Sequence, residues 1–247
     1  MMSRAVLEAE NIEKVLGHGA TRVQALKGVA LTLAEGQFTV LMGPSGSGKS
    51  TLLSILGCIL TQTKGSVRIA GRSTAHLNGE QLADLRRQHI GFVFQSYNLF
   101  PGLSALENVR IGFAIRRPGG RDGAGVAKRA LESVGLGHRI QCLPSQLSGG
   151  EQQRVAIARA IAGGPTIILA DEPTAALDSE SGCNVMRQLR CLATEDRRSV
   201  LAVSHDARAL KFADRIITME DGRILTDTTE AAVTRSLSTA SKAYMHA

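Results

Sequence analysis

Short, nearly unbroken apolar runs punctuate this chain. Phe38-Thr39-Val40-Leu41-Met42, Ile90-Gly91-Phe92-Val93-Phe94, Ile167-Ile168-Leu169-Ala170 and Val200-Leu201-Ala202-Val203 are too short for stable helices. They read as strands buried on both faces, as in a central parallel sheet. Val6 to Ala9, Val29 to Leu33 and Gly65 to Gly71 are more mixed and bounded by glycine. These predict an antiparallel patch beside the central sheet. Ile216 to Met219 and Ile224-Leu225, joined through Asp221-Gly222, predict a hairpin.

Helical spacing fills much of the rest. Leu52, Leu53, Ile55 and Leu56 give one dense apolar face. Leu77 to Arg87 predicts a helix with Asn78 as a cap. Ser104-x-x-Glu107 and Ser148-x-x-Glu151 are capping boxes, in which the serine accepts from the N3 amide and the glutamate reaches back. They open helices running to about Ile115 and to Ala162, the second stopped by Gly163-Gly164-Pro165. Arg116 to Gly125 reads as a solvated loop, after which Lys128 to Val134 resumes helix and Gly135 caps it. Beyond about Thr228 the sequence is small and polar and predicts no element.

Composition narrows the picture only a little. With 247 residues, 43% of them hydrophobic, the chain can bury a substantial core. No apolar run approaches a membrane span, and the first residues lack the apolar segment of a secretory signal. The 4 cysteines form no C-x-x-C pair, so reduced thiols are expected. A net charge of +7 suits an anionic partner without choosing one. Only 3% of residues are aromatic, which argues against a stacking platform for single-stranded nucleic acid.

The chemistry centres on Gly43-Pro44-Ser45-Gly46-Ser47-Gly48-Lys49-Ser50-Thr51, which matches G-x-x-x-x-G-K-[ST] between a strand and a helix. Glycines let the backbone turn its N–H groups inward, and the helix N-terminus adds positive potential where a phosphate sits. Lys49 is expected to reach the β- and γ-phosphates and Ser50 to ligate Mg²⁺. Other strands also end in polar residues: Gln95 after Phe94, Asp171-Glu172 after Ala170, and His205 after Val203. In an open parallel sheet ligands bind beyond those ends. Asp171 then holds Mg²⁺ and Glu172 orients or deprotonates the attacking water. Taken alone, Gln95 and His205 are weak signals, and adjacent carboxylates also suit a plain helix start.

The ordered set resembles the ATP-binding subunit of ABC transporters. The carriers are GPSGSGKST, Gln95, LSGGE with QQRVAIARA, ILADEPT, Ala176-Leu177-Asp178 and Ser204-His205-Asp206, within about residues 6 to 226. FVFQSYNLFPGLSALENV and FADRIITMEDGRI look like the export branch containing lipoprotein-release (LolD), macrolide-export (MacB) and DevA-like ATPases. The resemblance implies an α/β fold: a P-loop NTPase (RecA-like) core with an antiparallel β subdomain, about 5–95 and 165–226, and an inserted helical subdomain, about 96–164. A tail at 227–247 completes a single ATP-binding domain.

It further implies a homodimer around two ATP, with Ser148, Gly149, Gly150 and Glu151 binding the partner's ATP and Asp178 in the dimer D-loop. Glu172, His205 and Lys49 would be catalytic, and Mg²⁺ would be held by Ser50, Gln95 and Asp171. The implied setting is the cytoplasmic face of the inner membrane, with a separate few-span permease of the FtsX/MacB type and a periplasmic adaptor, and without nucleic acid. Gating a cell-envelope hydrolase, or a nucleic-acid-linked ATPase role, remains an alternative.

Two departures stand out. Glu151 replaces the family's more frequent glutamine yet keeps the capping box. The position matching the family's adenine-stacking aromatic is Val15, which predicts weak base selectivity. Phe92, Phe94, Tyr97, Leu99 and Phe100 are expected either to dock the permease or to pack the helical arm.

Overall fold

A computed structural model describes residues 4–229, so most of the tail lies outside the described residues. In chain order the elements are β1 (Ala5–Leu16), β2 (Val23–Ala34), β3 (Phe38–Met42), α1 (Lys49–Leu56), β4 (Lys64–Ile69), β5 (Arg72–Ser73), α2 (Gly79–His89) and β6 (Ile90–Val93). There follow α3 (Ala105–Arg116), α4 (Gly123–Ser133), α5 (Gly149–Ile161), β7 (Ile167–Asp171), α6 (Ser179–Thr194), β8 (Ser199–Val203), β9 (Arg215–Glu220) and β10 (Arg223–Thr229).

Two sheets result. One is antiparallel, in the order β2-β1-β4-β5, and the other has six strands ordered β10-β9-β3-β8-β7-β6. Within the second, β9, β3, β8, β7 and β6 run parallel, and β10 closes the edge as the antiparallel arm of a hairpin.

The apolar runs are continuous because both sheet faces are covered. Val40, Ile168, Ala170, Val200 and Ala202 point into a core shared with α3, α4, α5 and α6. Their neighbours Leu41, Ile167, Leu169, Leu201 and Val203 point into a second core, shared with α1 and the antiparallel sheet. Each fully buried aliphatic side chain contributes about 1.5–3 kcal/mol.

The helix starts follow the expected side chains. Asn78, Ser104 and Ser148 each cap their helix within a complete capping box. β1 and β2 extend well beyond the predicted Val6 to Ala9 and Val29 to Leu33, β5 was not predicted, and two helices differ from the sequence reading. α4 begins at Gly123 rather than Lys128, because Asp122 accepts a hydrogen bond from the Gly125 N–H at 3.1 Å while Ala127, Ala130 and Leu131 are buried. The sequence reading assigned no helix to α6. Asp178 caps it, accepting from the N–H groups of Glu180 and Ser181 at 3.0 and 2.9 Å.

The expected docking aromatics divide between two roles. Phe92 and Phe94 stack with ring centroids 5.4 Å apart and, with Phe100, line a groove of about 520 Å³ against α3. Leu99 packs inward against the helical core. The Tyr97 hydroxyl stands so close to Gly149 that a Cβ there would come within 2.9 Å of it.

Candidate functional site

The carboxyl ends of the parallel strands open onto a cavity of about 910 Å³. Gly43, Pro44, Ser45, Gly46, Gly48, Lys49, Ser50 and Thr51 line it, together with Gln95, Glu172 and His205. Ser47 is buried within the loop itself.

Glycine is required here for specific reasons. Gly43 has φ 151° and a Cβ on it would lie 2.1 Å from the Met219 carbonyl, while Gly48 caps α1 at φ 98°. The loop is thereby pressed against β9 and its amides are gathered at the start of α1, the arrangement that binds phosphate. Lys49 is 7% exposed, and its ammonium donates to the carbonyl oxygens of Gly43 at 2.8 Å and Pro44 at 2.7 Å. It is thus curled along the loop it serves.

Next to it the Ser50 hydroxyl donates to Asp171 Oδ1 at 3.1 Å. Burial pushes the Asp171 carboxyl above the ordinary value, opposed by the Ser50 hydrogen bond; the neighbouring Glu172 charge raises it and Lys49 lowers it. A hydroxyl and a carboxylate side by side are hard oxygen donors, the complement Mg²⁺ takes alongside phosphate oxygens and waters. Among the described residues no group of three His, Cys, Asp or Glu side chains forms an all-protein cage.

Glu172 follows Asp171 in a left-handed conformation, φ 48°, with its N–H bonded to the Val203 carbonyl at 3.1 Å. That backbone turn aims its carboxylate at His205, whose Nδ1 lies 2.9 Å from Glu172 Oε2. A non-glycine residue held there costs of order 1–3 kcal/mol, a cost typically found at working sites.

Ser148, Gly149, Gly150, Glu151 and Asp178 do not line this cavity. The Ser148 hydroxyl accepts from the Glu151 N–H at 3.2 Å, and Glu151 returns the bond to the Ser148 N–H at 2.8 Å. Those bonds hold the Glu151 carboxyl below its ordinary range, and Arg139, 3.3 Å away, adds to the effect.

The apolar wall of the cavity corrects the reading of Val15. Leu16 and Val23, paired across β1 and β2, line the opening, and Val15 does not. They are 39% and 62% exposed, so an apolar surface faces outward where a flat base can lie. Lys27 and the Asp221-Gly222 turn also line the cavity, which the sequence reading did not include. Successive side chains of a strand point to opposite faces, so of these two neighbours Leu16 is the one turned to the cavity.

A parallel core carrying the phosphate loop, flanked by an antiparallel sheet and a helical arm, is the ABC ATPase fold. Residues 26–175 match the ABC transporter family, and the chain belongs to it. It is 45% identical to the ABC transporter ATP-binding protein MJ0796 of Methanocaldococcus jannaschii, over 89% of this chain and 95% of that protein. It is 46% identical to the macrolide export ATP-binding/permease protein MacB of Aggregatibacter actinomycetemcomitans, over 92% of this chain but only 35% of that longer protein. Among solved structures, the dimeric MJ0796 cassette in a post-hydrolysis state with ADP and Pi superposes with a TM-score of 0.83 at 43% identity, covering 90% of this chain and 98% of that one.

Proposed function

We propose that this chain is the ATP-hydrolysing subunit of an ABC export system, pairing with a second copy around two ATP and driving a membrane permease. The observation that carries the reading is the Glu172–His205 contact of 2.9 Å at the edge of the phosphate-loop cavity. A carboxylate held by an imidazole beside a phosphate site is placed to take a proton from water. The dimeric relative bound to ADP and Pi supports the same reading.

In this mechanism the loop amides and Lys49 bind the phosphates of ATP, and Leu16 and Val23 receive the base. Ser50, Asp171 and Gln95 would hold Mg²⁺, which neutralises charge developing on the phosphate oxygens. Glu172 orients and deprotonates the attacking water, with His205 fixing the carboxylate. Ser148, Gly149, Gly150 and Glu151, outside their own chain's cavity, present a helix N-terminus to the partner's ATP, with Asp178 at the dimer seam. The Phe92–Phe94–Phe100 groove receives the permease, of FtsX/MacB type, at the cytoplasmic face of the inner membrane. A periplasmic adaptor completes the export route.

Reconstitution tests this. Phosphate release should rise when the permease is present in vesicles and not when duplex DNA is added. Lys49→Ala should lose nucleotide binding. Stimulation by DNA alone would overturn the export reading.

A further inference from the structure

Gln153 lies on α5, one turn beyond the Ser148 tip, and is fully buried at 0% exposure. Its amide nitrogen donates to the Pro173 carbonyl at 2.8 Å and to the Phe94 carbonyl at 3.4 Å. Pro173 follows Glu172 in sequence, and Phe94 precedes Gln95. One side chain therefore touches the backbone beside both hydrolytic loops. Two carbonyl acceptors can be bonded only by an N–H, so the amide orientation is fixed.

The other end of that amide has no partner: Oε1 is buried with no hydrogen bond. A buried amide oxygen without a donor carries a cost, and such cases call for a physical reason. α5 grips the Gln95 loop a second time through Arg159, which donates to the Tyr97 carbonyl at 2.7 Å and the Asn98 carbonyl at 2.5 Å. Tyr97 and Asn98 are consecutive left-handed residues, φ 58° and 51°, so this loop is held in an unfavourable conformation from the α5 side.

We propose that Gln153 is a positioning residue that ties the Ser148 tip to the loops carrying Gln95 and Glu172, so that seating the tip on one ATP sets the hydrolytic groups around the other. The inference rests on the dimeric ATPase reading above. In it α5 acts across the dimer while Gln95 and Glu172 act within their own chain, and Gln153 joins the two. The half-bonded amide suits a contact that rearranges on closure, when Oε1 can gain a donor.

The test compares wild type with Gln153→Met, which keeps the volume and removes both hydrogen bonds, and with Gln153→Glu, which sets an acceptor against two carbonyls. Steady-state ATP hydrolysis, ATP-induced dimerisation and thermal melting are measured on each. The expected result is a kcat lowered about 10- to 100-fold, the span of two hydrogen bonds of ordinary net strength. KM for ATP should stay within about threefold, with dimerisation retained, because neither bond touches nucleotide directly. The glutamate variant should be the slower of the two.

Wild-type kcat in the methionine variant would overturn the proposal, since packing alone would then suffice. A loss matched by an equal rise in KM, or by a smaller folded fraction, would overturn it as well. Failure of the wild-type chain to hydrolyse ATP would remove the dimeric ATPase reading and this proposal with it, an outcome distinct from an active wild type with an equally active variant.

Discussion

Glu172 Oε2 and His205 Nδ1 stand 2.9 Å apart, although the two residues close different strands. Adjacent parallel strands β7 and β8 end at the same level, with Asp171 opposite Val203, and this register brings the pair together. The contact therefore belongs to the sheet as much as to either side chain.

Replacing the carboxylate keeps the shape and removes the base. Glu172→Gln should turn over ATP about 10²–10⁴-fold more slowly. It should still bind ATP, and an ATP-bound dimer should accumulate on size-exclusion chromatography. Wild-type phosphate release from this variant would take Glu172 out of the mechanism.

Ser148 has two uses that compete for one hydroxyl. It caps α5 in the isolated chain, accepting from Glu151. Ser148→Ala should cost about 1 kcal/mol of stability by denaturant titration. The same variant should weaken ATP-induced dimerisation in the Glu172→Gln background while leaving nucleotide binding to the monomer intact. An unaffected dimer would mean that the hydroxyl is only a cap.

Glu151 sets an acid limit. Hydrogen bonds from Ser148 lower its folded-state pKa below the ordinary carboxylate value, so its stabilising contribution is present above the unfolded pKa and is lost as pH falls through the folded one. Glu151→Gln should therefore flatten part of the fall in melting temperature between neutral and acid pH. Identical acid limbs in variant and wild type would contradict this.

Asp171 behaves in the opposite sense. Burial raises its pKa, so the ionised form destabilises the nucleotide-free fold at neutral pH, and the penalty fades as pH falls through the raised value. Asp171→Asn should melt higher than wild type near pH 7 without nucleotide, yet lose Mg²⁺-dependent hydrolysis. A lower melting temperature in that state would show that the Ser50 hydrogen bond outweighs burial.

The cavity wall to which the base was assigned in the proposed mechanism is aliphatic rather than aromatic at Leu16 and Val23. One stacking contact is worth ~1–3 kcal/mol, by analogy with aromatic–base pairs. GTP and ATP should therefore compete within about tenfold, and replacing Leu16 with Tyr should widen the gap. Strong ATP preference in a competition assay would refute this.

Much of the site was legible because its geometry is imposed locally. A glycine loop between a buried strand and a helix has few alternatives, and the apolar runs could only be strands covered on both faces. The capping boxes at Ser104 and Ser148 were readable for the same reason, since each is closed within four residues. α6 was readable in principle: Val185, Met186, Leu189, Leu192 and Ala193 recur at helical spacing behind Asp178. Ser181, Gly182 and Asn184, just ahead of them in the first turns, obscured the pattern. Gln153 and Leu16 were different. Their roles depend on which elements meet in space: α5 against two loops for Gln153, and the β1 strand against the phosphate loop for Leu16.

The Asp221-Gly222 turn joins parts that sequence holds far apart. The Gly222 N–H bonds the Ser47 carbonyl at 3.1 Å, and the Gly222 carbonyl accepts from the Lys27 N–H at 2.8 Å. A single residue thus rivets the phosphate loop to the neighbouring sheet. Whatever tilts that sheet will tug on the cradle, so grip on ATP can be tuned from a hairpin tip with no catalytic side chain of its own.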